Sequence, residues 1–119
     1  MQESTRAYLT TALWSSLDDH DEPLDGQYDI SDISERTVRQ SAIDIQAFLL
    51  LCENQGIAWE EDIDDLYRLL HDFWLTRNHH GAGFWGGDYP IWGEKLTAIA
   101  HMFAEADLYV GDDGKIYHV

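Results

Sequence analysis

Apolar residues recur at intervals of three and four along much of this chain, which is the spacing of an amphipathic helix. The pattern predicts a first helix over residues 3–17, a second over 35–54 and a last one over 93–106. Ser34 is a suitable N-cap for the second helix, and Gly56 supplies its C-terminal stop. Acidic residues and a proline interrupt the periodicity after the first helix, so we expect an acidic loop between the first two helices.

A further helix is predicted after Trp59, because apolar residues again share one face through Leu70. Beyond that point the pattern is ambiguous. Phe73 and Trp74 would continue the helical stripe, but the clustered aromatic residues and glycines around Asn78 are also typical of a hairpin. We expect the hairpin, over residues 72–87.

Two β-prone triplets flank the sequence Gly111-Asp112-Asp113-Gly114 and predict a hairpin over residues 108–118. The chain is therefore expected to be a single domain, residues 1–119, with an α+β fold of about four helices and a small antiparallel sheet of one or two hairpins. Cys52 is expected to be buried as a small hydrophobic residue. The predicted core residues are Leu9, Leu13, Ile45, Leu49, Leu66, Leu70, Trp74, Leu96, Ile99 and Phe103.

Acidic residues outnumber basic ones by 23 to 7, which gives a formal charge of −16. Such a surface repels nucleic acid and anionic membranes, so we expect neither as a partner and predict a basic protein instead. The single cysteine allows no internal disulfide, which suits a reducing cytoplasm. No targeting signal is recognised near the first residue.

The excess of acids also suggests a pH dependence. Because few cations are available as partners, we expect most carboxylates to be unpaired and crowded by like charge. Crowding raises the folded pKa of such groups, so stability is expected to be higher near about pH 5.5 than near about pH 8 at low salt.

No motif for a metal, a cofactor or a recognised nucleophile is found. Residues 21–32 only partly match a calcium loop, since Pro23 stands at the third position and Asp32 at the twelfth. We therefore expect no metal, no cofactor and no catalytic residue. An alternative function, a small-ligand or catalytic pocket, remains open among the aromatic residues of 71–89, and its polar members would be His71, Asp72, Arg77, Asn78 and His80.

The preferred function is non-enzymatic binding of a basic surface on another protein. Rows of carboxylates resemble the charge of duplex DNA, so a DNA-mimicking inhibitor is the narrower form of this hypothesis. Large aromatic residues dominate interface energetics and provide candidate anchors. The predicted binding residues are the aromatic Trp85, Tyr89 and Trp92 and the acidic Asp18, Asp19, Asp21, Glu60, Glu61, Asp64 and Asp65.

Several segments resemble a widespread family of small uncharacterised proteins encoded by tailed bacteriophages and prophages. The most specific are His-Asp-Phe-Trp-Leu-Thr-Arg-Asn with Gly-Ala-Gly-Phe-Trp, within residues 71–85, and Asp-Leu-Tyr-Val-Gly-Asp-Asp-Gly-Lys-Ile-Tyr, residues 107–117. The resemblance implies a host cytoplasm as the setting and an inhibitor of host machinery, for example an anti-defence protein, as the role. It transfers no activity. His79 stands where the family pattern has Gly, which suggests a looser loop there.

Overall fold

Five α-helices and a two-stranded antiparallel sheet form the described part of the chain, which in this computed structural model comprises residues 1–63, 65–80, 83–85 and 89–118. The predicted α+β fold is confirmed. The helices are α1 (Glu3–Ser15), α2 (Glu35–Asn54), α3 (Trp59–Asp62), α4 (Leu66–Arg77) and α5 (Gly93–Ala100), and the strands are β1 (Leu108–Val110) and β2 (Ile116–His118). Short 3-10 turns occur at Leu24–Gly26, Ile30–Asp32 and Gly83–Trp85.

The first two helices follow their sequence signals. Helix α1 ends at Ser15, two residues before the predicted end, and α2 has the predicted bounds. The Ser34 side chain accepts a hydrogen bond from the Thr37 N–H at 3.2 Å and so caps α2. Gly56 has a φ of +85°, the left-handed conformation that terminates helices, as predicted.

The predicted hairpin over residues 72–87 is wrong, because α4 continues to Arg77. Asp65 starts this helix by accepting a hydrogen bond from the Arg68 N–H at 3.1 Å. The aromatic residues that suggested a strand continue the buried stripe of the helix, so packing favours helix over local β propensity. The buried apolar residues of α4 are Leu69, Leu70, Phe73 and Trp74. Residues 81, 82, 86 and 87 of the predicted hairpin lie outside the described residues.

Helix α4 ends in a left-handed turn at His79. The His79 N–H bonds to the Thr76 carbonyl at 3.1 Å, and the His80 N–H bonds to the Leu75 carbonyl at 2.8 Å. This pair of bonds is the Schellman pattern, in which the first residue after the C-cap, here His79, adopts a left-handed conformation that favours glycine. His79 has a φ of +58°, so a bulky side chain occupies a glycine position.

Helix α5 ends at Ala100 rather than at residue 106 as predicted. The Phe103 N–H bonds to the Ala100 carbonyl at 3.1 Å in a turn that follows the helix. The Ala104 carbonyl then accepts hydrogen bonds from Nε and Nη2 of Arg77, at 3.0 and 2.6 Å. A helix over 101–106 would direct this carbonyl along its own axis, so the bonds to Arg77 compete with helical structure.

Aromatic rings form the centre of the core. Phe48 of α2 stacks on Phe73 of α4 with centroids 4.1 Å apart, and Tyr8 of α1 meets the edge of Trp74 at 5.4 Å. Of the predicted core residues, Leu49, Leu66 and Phe103 are only partly buried and pack against its border. The other predicted core residues are buried: Leu9, Leu13, Ile45, Leu70, Trp74, Leu96 and Ile99. Cys52 is also buried, as predicted, and burial raises the pKa of its thiol to about 12.

The predicted C-terminal hairpin is confirmed. Tyr109 pairs with Tyr117 at its centre, and Gly114 has the left-handed φ of +79° that its turn requires. The outer edge of β2 is covered by the segment before α2, since the Ser34 N–H donates to the Ile116 carbonyl at 2.9 Å. Only β1 therefore has an edge that no described strand covers.

Candidate functional site

The residues of the predicted pocket do not converge, and Arg77 is the clearest case. Its Nη1 donates to the Tyr8 hydroxyl at 3.0 Å and to Asp44 at 2.8 Å, while the Ala104 carbonyl takes its other nitrogens. The guanidinium also lies 5.5 Å from the ring of Phe73. Burial alone would lower the pKa of Arg77, but Tyr8 and Asp44 raise it overall, so the side chain stays charged. Arg77 therefore links α1, α2 and the chain after α5 from inside the fold, and we call a residue of this kind an internal tie.

Asn78 is a second internal tie at the same end of α4. Its side-chain amide donates to the Trp74 carbonyl at 3.0 Å, and its oxygen accepts from the Ala106 N–H at 2.7 Å. Asn78 therefore closes the helix and holds the segment that leads to β1. His80, in contrast, is exposed.

His71 and Asp72 are together, but they belong to a different region from Arg77. The buried Asp72 carboxylate accepts from Arg68 Nε at 3.2 Å and from the Tyr89 hydroxyl at 2.8 Å, and its other oxygen lies 3.0 Å from His71 Nδ1. The His71 ring lies 5.6 Å from the ring of Trp14 on α1. These residues link α4 to α1 and to the chain around residue 89.

A wide groove of about 650 Å³ runs between α1 and α4 beside His71. We call it the helix groove. Its charges are mixed and several are satisfied internally: the Tyr67 hydroxyl donates to Glu3 at 2.7 Å, which raises the pKa of the Tyr67 hydroxyl. The helix groove is lined by Glu3, Arg6, Ala7, Thr10, Thr11, Trp14, Asp65, Tyr67, Arg68 and His71.

A narrower groove of about 470 Å³ lies between the acidic loop after α1 and strand β1. We call it the acidic groove. In the described part of the chain its lining includes two carboxylates and no Lys or Arg. The lining residues are Leu17, Asp18, Asp19, His20, Leu24, Gln27, Tyr28, Leu108, Tyr109 and Val110.

Backbone hydrogen bonds hold the acidic loop in one conformation. Leu17 and Pro23 form an isolated antiparallel bridge, and the Asp18 N–H donates to the Glu22 carbonyl at 2.8 Å. Oδ1 of Asp18 accepts from the N–H groups of His20 and Glu22, at 2.7 and 3.0 Å. These two bonds fix the carboxylate in place and lower its pKa. Asp19 and Asp21 are exposed on the same loop.

The second predicted acidic cluster is divided by the fold. Glu60 and Glu61 are exposed on the short helix α3, beside the half-buried Trp59. Asp65 serves instead as the N-cap of α4. Asp64 lies outside the described residues.

The predicted aromatic anchors have structural partners. Tyr89 bonds to Asp72 and packs against Phe84 with ring centroids 5.2 Å apart. Trp92 is half-buried, with Nζ of Lys95 5.6 Å from its ring. The backbone of Trp85 belongs to a 3-10 turn. Tyr89 and Trp92 are thus tied to the fold more than they are presented to a partner.

Three carboxylates depart from the expectation of raised pKa values. Hydrogen bonds lower the pKa of Asp18, as described, of Asp29 through the Ser31 hydroxyl and N–H, and of Asp113 through the Tyr117 hydroxyl and the Lys115 N–H. At these positions hydrogen bonds from local donors outweigh desolvation, which acts in the opposite direction.

Other classes of site receive no support from the described residues. They contain no group of three or more His, Cys, Asp or Glu side chains that could hold a metal ion. None of the helices described above combines the length and hydropathy required to cross a bilayer.

No protein-family model, curated protein or solved structure matches the chain.

Sequence reasoning identified the carboxylates of the acidic groove but missed its other wall. Leu17, the last residue of the predicted first helix, is 54% exposed, and Val110 of the correctly predicted hairpin is 38% exposed. Both border the groove. Hydrophobic periodicity assigns such residues to a core and does not show which edge of a hairpin stays uncovered.

Proposed function

We propose that this chain is a non-enzymatic binding protein whose acidic groove docks against a basic surface of a partner protein. The observation that carries the proposal is the composition of that groove. Asp18 and Asp19 border it together with exposed apolar residues, and none of its described lining residues is Lys or Arg. Charge attracts a basic partner, and the apolar residues supply the contact area that screened charges lack at physiological salt.

The distribution of basic residues supports this assignment. Arg77 is committed to Asp44 in the interior, Arg39 pairs with Glu35, and Arg36 lies over the ring of Tyr117. Segment 18–35 holds eight carboxylates and no Lys or Arg. A basic partner thus meets no repelling Lys or Arg from this segment.

The biological setting is part of the proposal and comes from the resemblance to small proteins of tailed phages. We propose the cytoplasm of a bacterial host as the setting and a basic host protein as the partner. The narrower version is a DNA-binding defence or replication factor that the chain inhibits by mimicking DNA. Duplex DNA would then compete with the chain for the partner.

Co-purification from bacterial lysate with matched charge variants tests the proposal. The tagged chain is compared with Asp18→Asn/Asp19→Asn and with Glu60→Gln/Glu61→Gln, which removes the same charge from an exposed site on α3. A partner captured by the chain and by the α3 variant, but lost with the groove variant, is the expected result. A partner retained equally by all three, or no partner at low salt, would contradict it. Displacement by duplex DNA then tests mimicry separately.

A second candidate function is small-ligand binding in the helix groove. It is favoured by one observation: His71 is oriented by the buried Asp72 and lies beside the ring of Trp14 at the groove wall. A ligand-observed NMR screen with the chain and with Trp14→Ala tests it. Compounds that bind the chain but not the variant would support this second function, and no selective compound would remove it.

A further inference from the structure

Strand β1 has one edge with which no described strand pairs, and the bonds of the hairpin show which backbone groups point toward that edge. The Gly111 N–H donates to the Lys115 carbonyl at 2.7 Å. Antiparallel pairs alternate between bonded and non-bonded types, so Tyr109 and Tyr117 form a bonded pair and the flanking pairs do not. The N–H and C=O groups of Leu108 and Val110 therefore point away from β2.

Hydrogen bonds at the opposite edge of the hairpin confirm this alternation of bonded and non-bonded pairs. The Ile116 carbonyl accepts from the Ser34 N–H at 2.9 Å, and the His118 N–H donates to Thr37 Oγ1 at 3.3 Å. Both groups point outward from β2, as required for the partners of Val110 and Leu108. On the β1 side, the outward groups of Leu108 and Val110 make no hydrogen bond within the described residues.

This edge opens on the acidic groove. All three residues of β1 line the groove. Successive side chains of a strand point to opposite faces, so a groove that touches three in a row follows the strand edge. Asp18 and Asp19 of the acidic loop line the same groove. Oδ2 of Asp18 has no partner among the described residues, since its two bonds both go to Oδ1.

We propose that the acidic groove binds an extended, Lys- or Arg-containing segment of the partner, which adds to the hairpin as a third strand along β1. This inference rests on the proposed function and specifies how the partner is held. Main-chain bonds to Leu108 and Val110 supply the register, and alternate basic side chains reach Asp18 and Asp19. Intervening apolar side chains contact Leu17 and Val110, which are exposed beside the edge.

A peptide of alternating residues, (Lys-Val)3-Lys with acetylated and amidated ends, is the probe, and fluorescence anisotropy is the measurement. Two further peptides carry backbone N-methyl groups, one at its valines and one at its lysines. Only alternate N–H groups of an added strand face its neighbour. One methylated peptide is therefore expected to bind about tenfold more weakly, as for a lost hydrogen bond, and the other nearly as well as the parent.

Protein variants supply the complementary arm. Val110→Pro removes an outward N–H without removing a bond of the hairpin, and it is expected to weaken the parent peptide about tenfold. Asp18→Asn/Asp19→Asn is expected to weaken it similarly, whereas Glu60→Gln/Glu61→Gln is the matched control with little effect. Circular dichroism confirms that each variant is folded. The methylated peptides are tested on the unsubstituted chain, so that part of the experiment does not depend on the folding of a variant.

The outcomes separate the inference from the function on which it rests. Binding that depends on Asp18 and Asp19 but tolerates both methylation patterns overturns strand addition and leaves acidic docking intact. No binding of any peptide also overturns strand addition, while the lysate experiment judges the function independently. Equal binding of a (Glu-Val)3-Glu peptide would contradict both.

Discussion

The polar side chains of α4 and those of the acidic groove are used in opposite ways. Along α4, Asp72, Arg77 and Asn78 are buried and bonded to the chain itself. At the acidic groove, the described residues give the Asp18 side chain hydrogen bonds only from the backbone of its own loop, and Asp19 is exposed. The polar groups of α4 form hydrogen bonds that stabilise the fold, whereas the carboxylates of the acidic groove present charge to solvent.

The comparison shows why residue type alone misplaces a site. A cluster of His, Asp, Arg and Asn among aromatic residues suggests chemistry, but burial requires such groups to find partners, and here the partners are internal. Unpaired surface carboxylates indicate a site less clearly in the sequence, because acidic surfaces are common. Substitutions on α4 should therefore change stability, while substitutions at the acidic groove should change binding.

The largest effect is expected for Arg77→Met. The substitution leaves Asp44 and the buried Tyr8 hydroxyl without their shared partner, so we expect a loss of about 3 kcal/mol in unfolding free energy. The melting temperature should fall by roughly 10–15 °C. Urea unfolding and calorimetry are the measurements.

The same substitution on the surface is the control for Arg77→Met. Arg39 pairs with Glu35 at 3.8 Å, with the two side chains 71% and 91% exposed. Arg39→Met should therefore cost less than about 0.5 kcal/mol. Equal losses in the two variants would contradict the assignment of Arg77 as an internal tie.

A smaller effect is expected at His79, where α4 ends. A non-glycine residue in the left-handed conformation is strained, so His79→Gly should be more stable than His79→Ala by about 1 kcal/mol. Both variants remove the ring that lies 4.7 Å from His101, so comparing them isolates the backbone contribution. The measurement is thermal unfolding of the pair. If the alanine variant is as stable as the glycine variant, the turn is not strained as described.

Local signals predicted the parts of the fold that local chemistry determines. Ser34, Gly56 and the turn at 111–114 each act within a few residues, and all three were identified correctly. The helical identity of residues 72–77 could not be decided in this way. It depends on Phe73 and Trp74 meeting Phe48 and Tyr8, which are distant in sequence.

The candidate site was only partly predictable for the same reason. Asp18 and Asp19 were named because charge is visible in the sequence. The edge of β1 was not, because whether a hairpin edge is covered depends on where residues 33–37 return. Tyr89 was expected to be an anchor, but its hydroxyl bonds to Asp72, a contact across 17 residues that no spacing rule predicts.

A still smaller effect on stability is expected at the acidic groove. Asp18→Asn/Asp19→Asn should leave the urea midpoint of unfolding nearly unchanged, since the amide oxygen at 18 can still accept from the N–H groups of His20 and Glu22. Urea unfolding alongside partner binding is the measurement. A loss comparable to that of Arg77→Met would place the groove carboxylates among the residues that hold the fold.

The smallest expected effect is on how stability depends on pH. The pKa of Asp18 lies below its ordinary value of 3.8 in the folded chain, so its ionised form stabilises the fold above that value. This contribution is lost as pH falls through the lowered pKa. Between about pH 4 and about pH 2, the chain should therefore lose more stability than Asp18→Asn. Urea unfolding at constant ionic strength measures the difference. A steeper loss in the variant would contradict the lowered pKa.

The most direct test of the acidic groove as the binding site is a ¹H–¹⁵N NMR titration with the (Lys-Val)3-Lys peptide. We expect the largest chemical-shift changes at residues 17–20 and 108–110, with Arg77 and Asn78 unaffected. Largest changes at Trp14, Tyr67 and His71 would assign binding to the helix groove instead. Changes centred on Glu60 and Glu61, or spread evenly over all acidic residues, would contradict a specific site beside β1.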